Sequence, residues 1–135
     1  LQQLAHTQSI EQAENALSFE PSEYWNNHYT FGNPSHAKSK KPGKESIRHI
    51  AINALAPMLF VLGRIRQKEE CFNRAVALLE QLPAEKNHIT RMAGSLDIEL
   101  HSAADSQAFI QLVKQYCSYK RCLECRIGHA IFKPK

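Results

Sequence analysis

The stretch SIRHIAINALAPMLFVLGRIR, residues 46–66, decides the fold because it is the longest helical pattern in the chain. Apolar side chains recur there every three or four positions, at Ile47, Ile50, Ala51, Ala54, Leu55, Met58, Leu59 and Leu62. Phe60 and Val61 add apolar side chains on other faces, so we predict a helix that is buried nearly all round. Pro57 lacks a backbone amide and predicts a bend within this helix.

Shorter helical patterns lie on both sides of this apolar helix. Capping residues, apolar spacing or stop signals mark them at residues 9–17, 21–29, 71–83, 87–94, 105–117 and 121–132. Residues 30–44 contain two glycines and two prolines and predict a loop, and residues 95–103 predict an extended linker. We therefore expect an all-α fold, an orthogonal multi-helix bundle of about six helices around the central apolar helix.

Length and composition indicate a single helical domain spanning residues 1–135. Hydrophobic residues make up 43% and charged residues 22% of the chain, which excludes disorder throughout. No secretory leader opens the sequence, and four cysteines without an export signal indicate reduced thiols, so we expect a cytoplasmic protein. The most apolar run, residues 50–62, is shorter than the roughly 20 residues of a membrane span, so we expect no membrane partner.

A basic segment, HAKSKKPGKESIRH at residues 36–49, is a candidate site for nucleic acid. Its candidate phosphate ligands are Lys38, Lys40, Lys41, Lys44 and Arg48. Tyr29 and Phe31 lie just upstream, where aromatic rings could stack on bases. The same pattern is typical of a solvated loop whose charge keeps a protein soluble. Weak nucleic-acid binding and a plain surface loop are therefore the two interpretations of the basic segment.

Three of the four cysteines stand together near the end of the chain, in YCSYKRCLECRIGH. Cys117, Cys122 and Cys125 predict a structural zinc site, because zinc in proteins prefers short cysteine pairs. The fourth ligand would be His129 or the distant Cys71. The spacing is also that of plant-type iron–sulfur sites, which need a further cysteine downstream. The remaining interpretation is that the thiols are small buried side chains without a metal.

A helix over residues 121–132 would place Cys122, Cys125 and His129 on one face. The aliphatic side chains would then lie on the opposite face, at Leu123, Ile127, Ala130 and Ile131. We expect the aliphatic face to pack into the core and the thiols to face solvent or a metal.

His28 stands among aromatic residues in YWNNHY and also has two interpretations. A histidine in this position could act as a general base. A packed, hydrogen-bonded histidine is favoured, because no carboxylate or nucleophile stands nearby in the sequence. The sequence also has no nucleophile elbow, glycine-rich phosphate loop or metalloprotease motif, so it indicates no reaction.

Four stretches together resemble the C-terminal part of an uncharacterised bacterial protein family: EYWNNHYTFG, LLEQLPAEKNHI, DSQAFIQL and YCSYKRCLECRIG. The resemblance runs over residues 21–131. It implies that a longer N-terminal region precedes this part, in agreement with a sequence that does not begin with methionine. It implies no reaction.

We therefore expect a non-catalytic helical module that binds or scaffolds as part of a larger protein. Its expected partners are its own N-terminal region and, weakly, nucleic acid. Zinc is the one candidate cofactor, and the sequence establishes none. The alternative is a hydrolase or nuclease-like protein whose active site lies mainly in the N-terminal region.

Overall fold

Helices dominate the computed structural model, which describes residues 9–132. The chain divides into two compact units, and the boundary between Leu78 and Leu79 falls within a helix. The N-terminal unit contains α1 (Ile10–Leu17), α2 (Glu23–Asn26), β1 (His28–Thr30), β2 (Asn33–Pro34), α3 (Lys44–Ile50), α4 (Ala56–Arg66) and the start of α5 (Glu69–Gln81). The C-terminal unit contains α6 (His88–Gly94), α7 (Ala103–Leu112) and α8 (Arg126–Phe132). The prediction of an all-α helical bundle is confirmed, and a single domain over residues 1–135 stays a prediction.

The central apolar helix is continuous from Lys44 to Arg66, because a π-helical segment, Ala51–Leu55, joins α3 to α4. The amide of Ala56 donates to the carbonyl of Ala51, five residues back. This wider turn directly precedes Pro57, whose ring would otherwise press on a carbonyl of the preceding turn. The irregularity expected at Pro57 therefore takes the form of a π-helical turn.

One face of the central apolar helix is buried and the other is exposed. Ile47, Ala51, Leu55 and Leu59 form the buried stripe, and Leu59 has no exposed surface. The prediction of burial nearly all round is wrong, since three apolar side chains away from this stripe are exposed: Ile50, Val61 and Ile65. The spacing of apolar residues does not show which faces of a helix pack against other elements. Among the described residues, α1 and Phe72 of α5 contact part of this helix.

The same helix is long and apolar enough to cross a membrane, by length and composition only. The predicted helix over residues 46–66 is shorter than the helix in the structure, which has 23 residues. The core helix of a soluble protein meets the same criterion, so the evidence for a membrane span is weak. The absence of a membrane partner stays a prediction.

The C-terminal unit has its own small core, formed by Ile89, Ala93 and Phe109. Asn87, the first residue of the helical pattern predicted over residues 87–94, caps α6. The cap is reciprocal, because Thr90 bonds back to it. Ser102 and Asp105 cap α7 in the same way. The hydroxyl and amide of Ser102 and the amide of His101 donate to the Asp105 carboxylate, and these bonds lower the pKa of Asp105.

Candidate aromatic and basic binding site

Four rings pack together around α2 and the hairpin that follows it. This aromatic cluster consists of Tyr24, Trp25, His28 and Phe31. Tyr24 stacks on His28 with ring centres 4.0 Å apart, and Trp25 meets Phe31 edge to face at 5.1 Å. Such pairs contribute about 0.5–1.5 kcal/mol each beyond area burial. The cluster therefore holds a short helix and a short hairpin together at the protein surface.

The hairpin was not predicted from the sequence, which indicated a helix over residues 21–29 and a loop over residues 30–44. Instead α2 ends at Asn26, and β1 pairs with β2 in antiparallel register. Gly32 makes the tight turn possible because its φ is +77°, in the left-handed region that favours glycine. The Gly32 amide donates to the Tyr24 hydroxyl at 2.9 Å. The aromatic cluster thus fixes the turn, which no local helix or loop signal could show.

Backbone hydrogen bonds bring the basic segment beside the aromatic cluster. The amide of Ser35 donates to the Asn27 carbonyl at 2.6 Å, and that of Lys38 to the Asn26 carbonyl at 2.9 Å. Two residues later, the Lys40 ammonium lies 3.6 Å from the centre of the Tyr29 ring. It also donates to the His28 carbonyl at 3.2 Å. Lys40 is therefore held against an aromatic face in a cation–π contact.

The other four predicted phosphate ligands lie in different environments. Lys41 forms an ion pair with Glu20 at 2.6 Å, and Arg48 forms one with Glu45 at 2.7 Å. The Nε atom of Arg48 is buried and, within the described residues, has no hydrogen-bond partner. Lys38 and Lys44 are exposed to solvent. The structure thus places Lys40 at the aromatic rings, leaves Lys38 and Lys44 facing water, and holds Lys41 and Arg48 on carboxylates.

An open cleft of about 490 Å³ lies between the end of α1, the aromatic cluster and the basic segment. Its walls include Phe19, Glu20, Trp25, His28, Tyr29 and Lys40. Sequence reasoning missed Phe19, Glu20 and Trp25 as parts of this site. The signal that could have found them is the density of aromatic residues on both sides of Pro21. The aromatic cleft combines flat apolar rings with one cation and one carboxylate, which suits a planar ligand that carries charge.

His28 is a packed member of the aromatic cluster. Its Nδ1 atom lies 2.8 Å from both the Tyr24 carbonyl oxygen and the Asn27 side-chain oxygen. One ring face is covered by Tyr24. These contacts agree with the interpretation of His28 as a packed, hydrogen-bonded histidine.

The cysteine segment is built differently from its prediction. A π-helical turn, Val113–Cys117, continues α7, a 3₁₀ turn spans Cys122–Glu124, and α8 begins only at Arg126. The prediction of one helix over residues 121–132 is therefore wrong. The expected burial is wrong in two respects: the aliphatic face lies open, with Leu123 78% exposed, and Cys125 is buried. Cys122 and His129 are exposed, as predicted. The break follows from the 3₁₀ turn, which rotates the cysteines away from the register of a straight helix.

All four cysteines are free thiols, and Cys117 and Cys122 are exposed. Between Ser9 and Phe132, no group of three or more His, Cys, Asp or Glu side chains is arranged to hold a metal ion. A zinc site formed by Cys117, Cys122, Cys125 and His129 stays a prediction. It would require the 3₁₀ turn to rearrange when the metal binds.

Elemental analysis of protein purified without chelator tests the zinc prediction. A structural site of this kind should carry about one equivalent of zinc, and the bound thiols should not react with a thiol reagent until the metal is removed. Replacing Cys122 by Ser should then release the metal, whereas replacing the distant Cys71 should not if His129 is the fourth ligand. Metal-free protein in which every thiol reacts freely contradicts the prediction.

The comparison with protein families covers the N-terminal part of the chain. Residues 1–88 match the model of a family described as a protein of unknown function, DUF2851. The chain belongs to this family. The DUF2851 match contains the aromatic cleft and the basic segment and ends before the cysteine segment. It confirms the resemblance to a family of unknown function. No curated protein and no solved structure matches the chain significantly.

Proposed function

We propose that this chain is a non-catalytic binding module whose aromatic cleft holds a short stretch of single-stranded nucleic acid. The observation that carries the proposal is the pairing of Tyr29 with Lys40. A 64% exposed ring lies 3.6 Å beneath a lysine ammonium at the edge of an open cleft. Proteins that bind single strands combine these two elements, a ring for the base and a cation for the backbone.

The rings supply stacking surfaces of the right kind. Tyr29 and Phe31 are both exposed, and Phe31 packs against the rings of Trp25 and Tyr24. A base stacked on such a ring contributes about 1–3 kcal/mol. Ordering the rings in advance reduces the entropy that binding would otherwise cost. The aromatic cluster therefore supports recognition of bases that are not already stacked in a duplex.

The charges supply attraction to the phosphate backbone. Residues 36–66 carry seven basic and one acidic side chain, and Lys38 and Lys44 point into solvent within this segment. Lysine contacts of this type give affinity without sequence preference and weaken steeply as salt rises. The proposal thus predicts weak, salt-sensitive binding that prefers single strands over duplexes of equal length.

Fluorescence anisotropy with a labelled single-stranded oligonucleotide of about 15 nucleotides tests the proposal. At low salt the unmodified chain should bind, and changing the four lysines of the basic segment to Ser should weaken binding about tenfold and flatten its salt dependence. These are Lys38, Lys40, Lys41 and Lys44, of which Lys40 lines the cleft. A matched set of four lysines outside residues 36–66 serves as the control: Lys68, Lys86, Lys114 and Lys120.

The comparison between the two lysine sets decides whether the cleft is the site. Equal weakening by both sets would show that only net charge matters and would contradict a localised site. Replacing Tyr29 and Phe31 by Ala should also remove the preference for single strands, whereas replacing Tyr119, an exposed tyrosine of the C-terminal unit, should leave it unchanged. Absence of any binding at low salt contradicts the proposal outright.

The contact with an N-terminal region of the same protein and the cytoplasmic location stay predictions. So does the alternative of a hydrolase or nuclease-like protein with its active site in that region. Cleavage of the labelled oligonucleotide by the purified chain would favour that alternative, since the proposed module only holds its ligand.

A further inference from the structure

The C-terminal unit contains a second concave feature, on the opposite half of the sequence from the aromatic cleft. A half-enclosed groove of about 280 Å³ lies between the end of α7, the 3₁₀ turn and α8. Its walls are apolar and thiol side chains, among them Leu112, Tyr116, Cys117, Cys122, Ile127 and Ile131. This thiol groove is deep enough to receive one large apolar side chain.

Exposed apolar residues continue from the thiol groove onto the surrounding surface. Leu123 is 78% exposed and Ile131 is 72% exposed, and Tyr119, Ile127 and Phe132 are also exposed. Soluble proteins expose single apolar residues routinely, but a contiguous group beside a groove marks an interaction site. Apolar surface of the C-terminal segment is therefore left uncovered by the rest of its unit.

The segment of chain that supplies most of the groove walls is basic. Between residues 114 and 132 the chain has four basic side chains, Lys114, Lys120, Arg121 and Arg126, and one acidic side chain, Glu124. Glu124 is already held by Arg121, whose guanidinium also lies over the ring of Tyr116, a wall residue of the groove. The ion pair lowers the pKa of Glu124 and raises that of Arg121. The segment that supplies the groove walls thus keeps a net positive charge.

We propose that the thiol groove docks an acidic amphipathic peptide segment of a partner protein. One aromatic or branched side chain of the segment would fill the groove, and flanking Asp or Glu residues would face Lys114, Lys120 and Arg126. An amphipathic helix in an apolar groove is a recurring mode of recognition, and charge complementarity adds rate and specificity.

The shape of the groove favours a peptide over a lipid surface. A basic apolar surface that lies on a membrane presents convex side chains to the lipid. Here Cys117 and Cys122 line a concavity that a flat lipid surface would leave empty. A protruding side chain from a helix or turn fills such a space, which is why the proposal names a peptide as the occupant.

Selection from a phage library of random peptides of about 16 residues tests the proposal, since that length allows four helical turns. The immobilised chain should enrich sequences in which an aromatic or branched residue is flanked by Asp and Glu. A synthetic peptide from the selection should lose about tenfold in affinity when its acidic residues are changed to Asn and Gln.

Two substitutions locate the binding surface. Ile127→Glu, in the groove wall, and Arg126→Glu, at the preceding position of α8, should each weaken binding of the selected peptide about tenfold. The matched controls lie in the same unit away from the groove: Met92→Glu, which is also an exposed apolar position, and Lys86→Glu. Circular dichroism confirms that each variant is folded before it is compared.

The proposal is overturned if the library enriches no acidic motif. It is also overturned if the control substitutions weaken binding as much as the groove substitutions do. A third contrary result is binding to vesicles of anionic phospholipid that Ile127→Glu abolishes, without any enriched peptide, because that would identify lipid as the occupant.

Discussion

Replacing Leu59 by Ala will lower the free energy of unfolding by about 2–5 kcal/mol. Leu59 lies on the buried stripe of the central apolar helix and is one of the largest side chains with no exposed surface. Removing its branched end leaves a cavity that the surrounding side chains can only partly fill, so the lost burial and the cavity both destabilise. Urea denaturation followed by circular dichroism measures the change.

Ile65→Ala is the matched control for Leu59→Ala. Both change a branched aliphatic residue to Ala on the same helix, but Ile65 is 74% exposed. We expect a change within about 0.5 kcal/mol for Ile65→Ala. A loss of less than about 1 kcal/mol for Leu59→Ala would show that the centre of the fold lies elsewhere.

Replacing Gly128 by Ala will disrupt the packing of α8 against the 3₁₀ turn, at a cost of about 3 kcal/mol. A Cβ atom at position 128 would overlap the carbonyl oxygen of Cys122 and would lie 2.9 Å from its carbonyl carbon. The clash is with backbone, so no side-chain rotation can relieve it. Either the turn or α8 must move away.

Hydrogen exchange measures the local loss of stability caused by Gly128→Ala. The amide of His129 donates to the Cys125 carbonyl at 2.7 Å and should exchange about a hundredfold faster in Gly128→Ala. Gly94→Ala is the control in the same unit, since a Cβ there meets nothing within 4 Å. We expect Gly94→Ala to be neutral or slightly stabilising. Unchanged exchange at His129 would contradict the close approach of turn and helix.

Regular helices with strong local signals could be predicted from the sequence. The recurrence of apolar residues every three or four positions predicted the central helix, and Asn87 correctly marked the start of α6. The burial of individual side chains could not be predicted, because Ile65 and Leu59 are both branched apolar residues on the same helix. Which of them is covered depends on the neighbours of α4, and those contacts are tertiary.

The binding site could be predicted only in part. The aromatic residues and the basic segment are joined by tertiary contacts, which no local sequence pattern indicates. The sequence placed Tyr29 and Lys40 eleven positions apart, as a possible stacking residue and a possible phosphate ligand. Their direct contact depends on a two-residue turn at Gly32 and on the backbone bonds of Ser35 and Lys38. The pairing of Lys41 with Glu20 likewise spans a distance along the chain that no helical period covers.

The prediction of one helix in the cysteine segment is wrong because the spacing of its apolar residues is also that of a continuous helix. Apolar residues at Leu123, Ile127 and Ile131 fit a helical period, but a 3₁₀ turn ends before Arg126 and changes the phase. Gly128 marks the place where two backbones approach closely, and that role of glycine is invisible without the fold.

The most direct test of the proposed function uses Trp25, the one tryptophan in the chain. Trp25 lines the aromatic cleft, so its fluorescence reports on that site alone. Titration with a single-stranded oligonucleotide at low salt should change the Trp25 emission in a saturable way, and added salt should reverse the change. Trp25 emission that stays constant while anisotropy shows the oligonucleotide to be bound would place the ligand elsewhere and contradict the account.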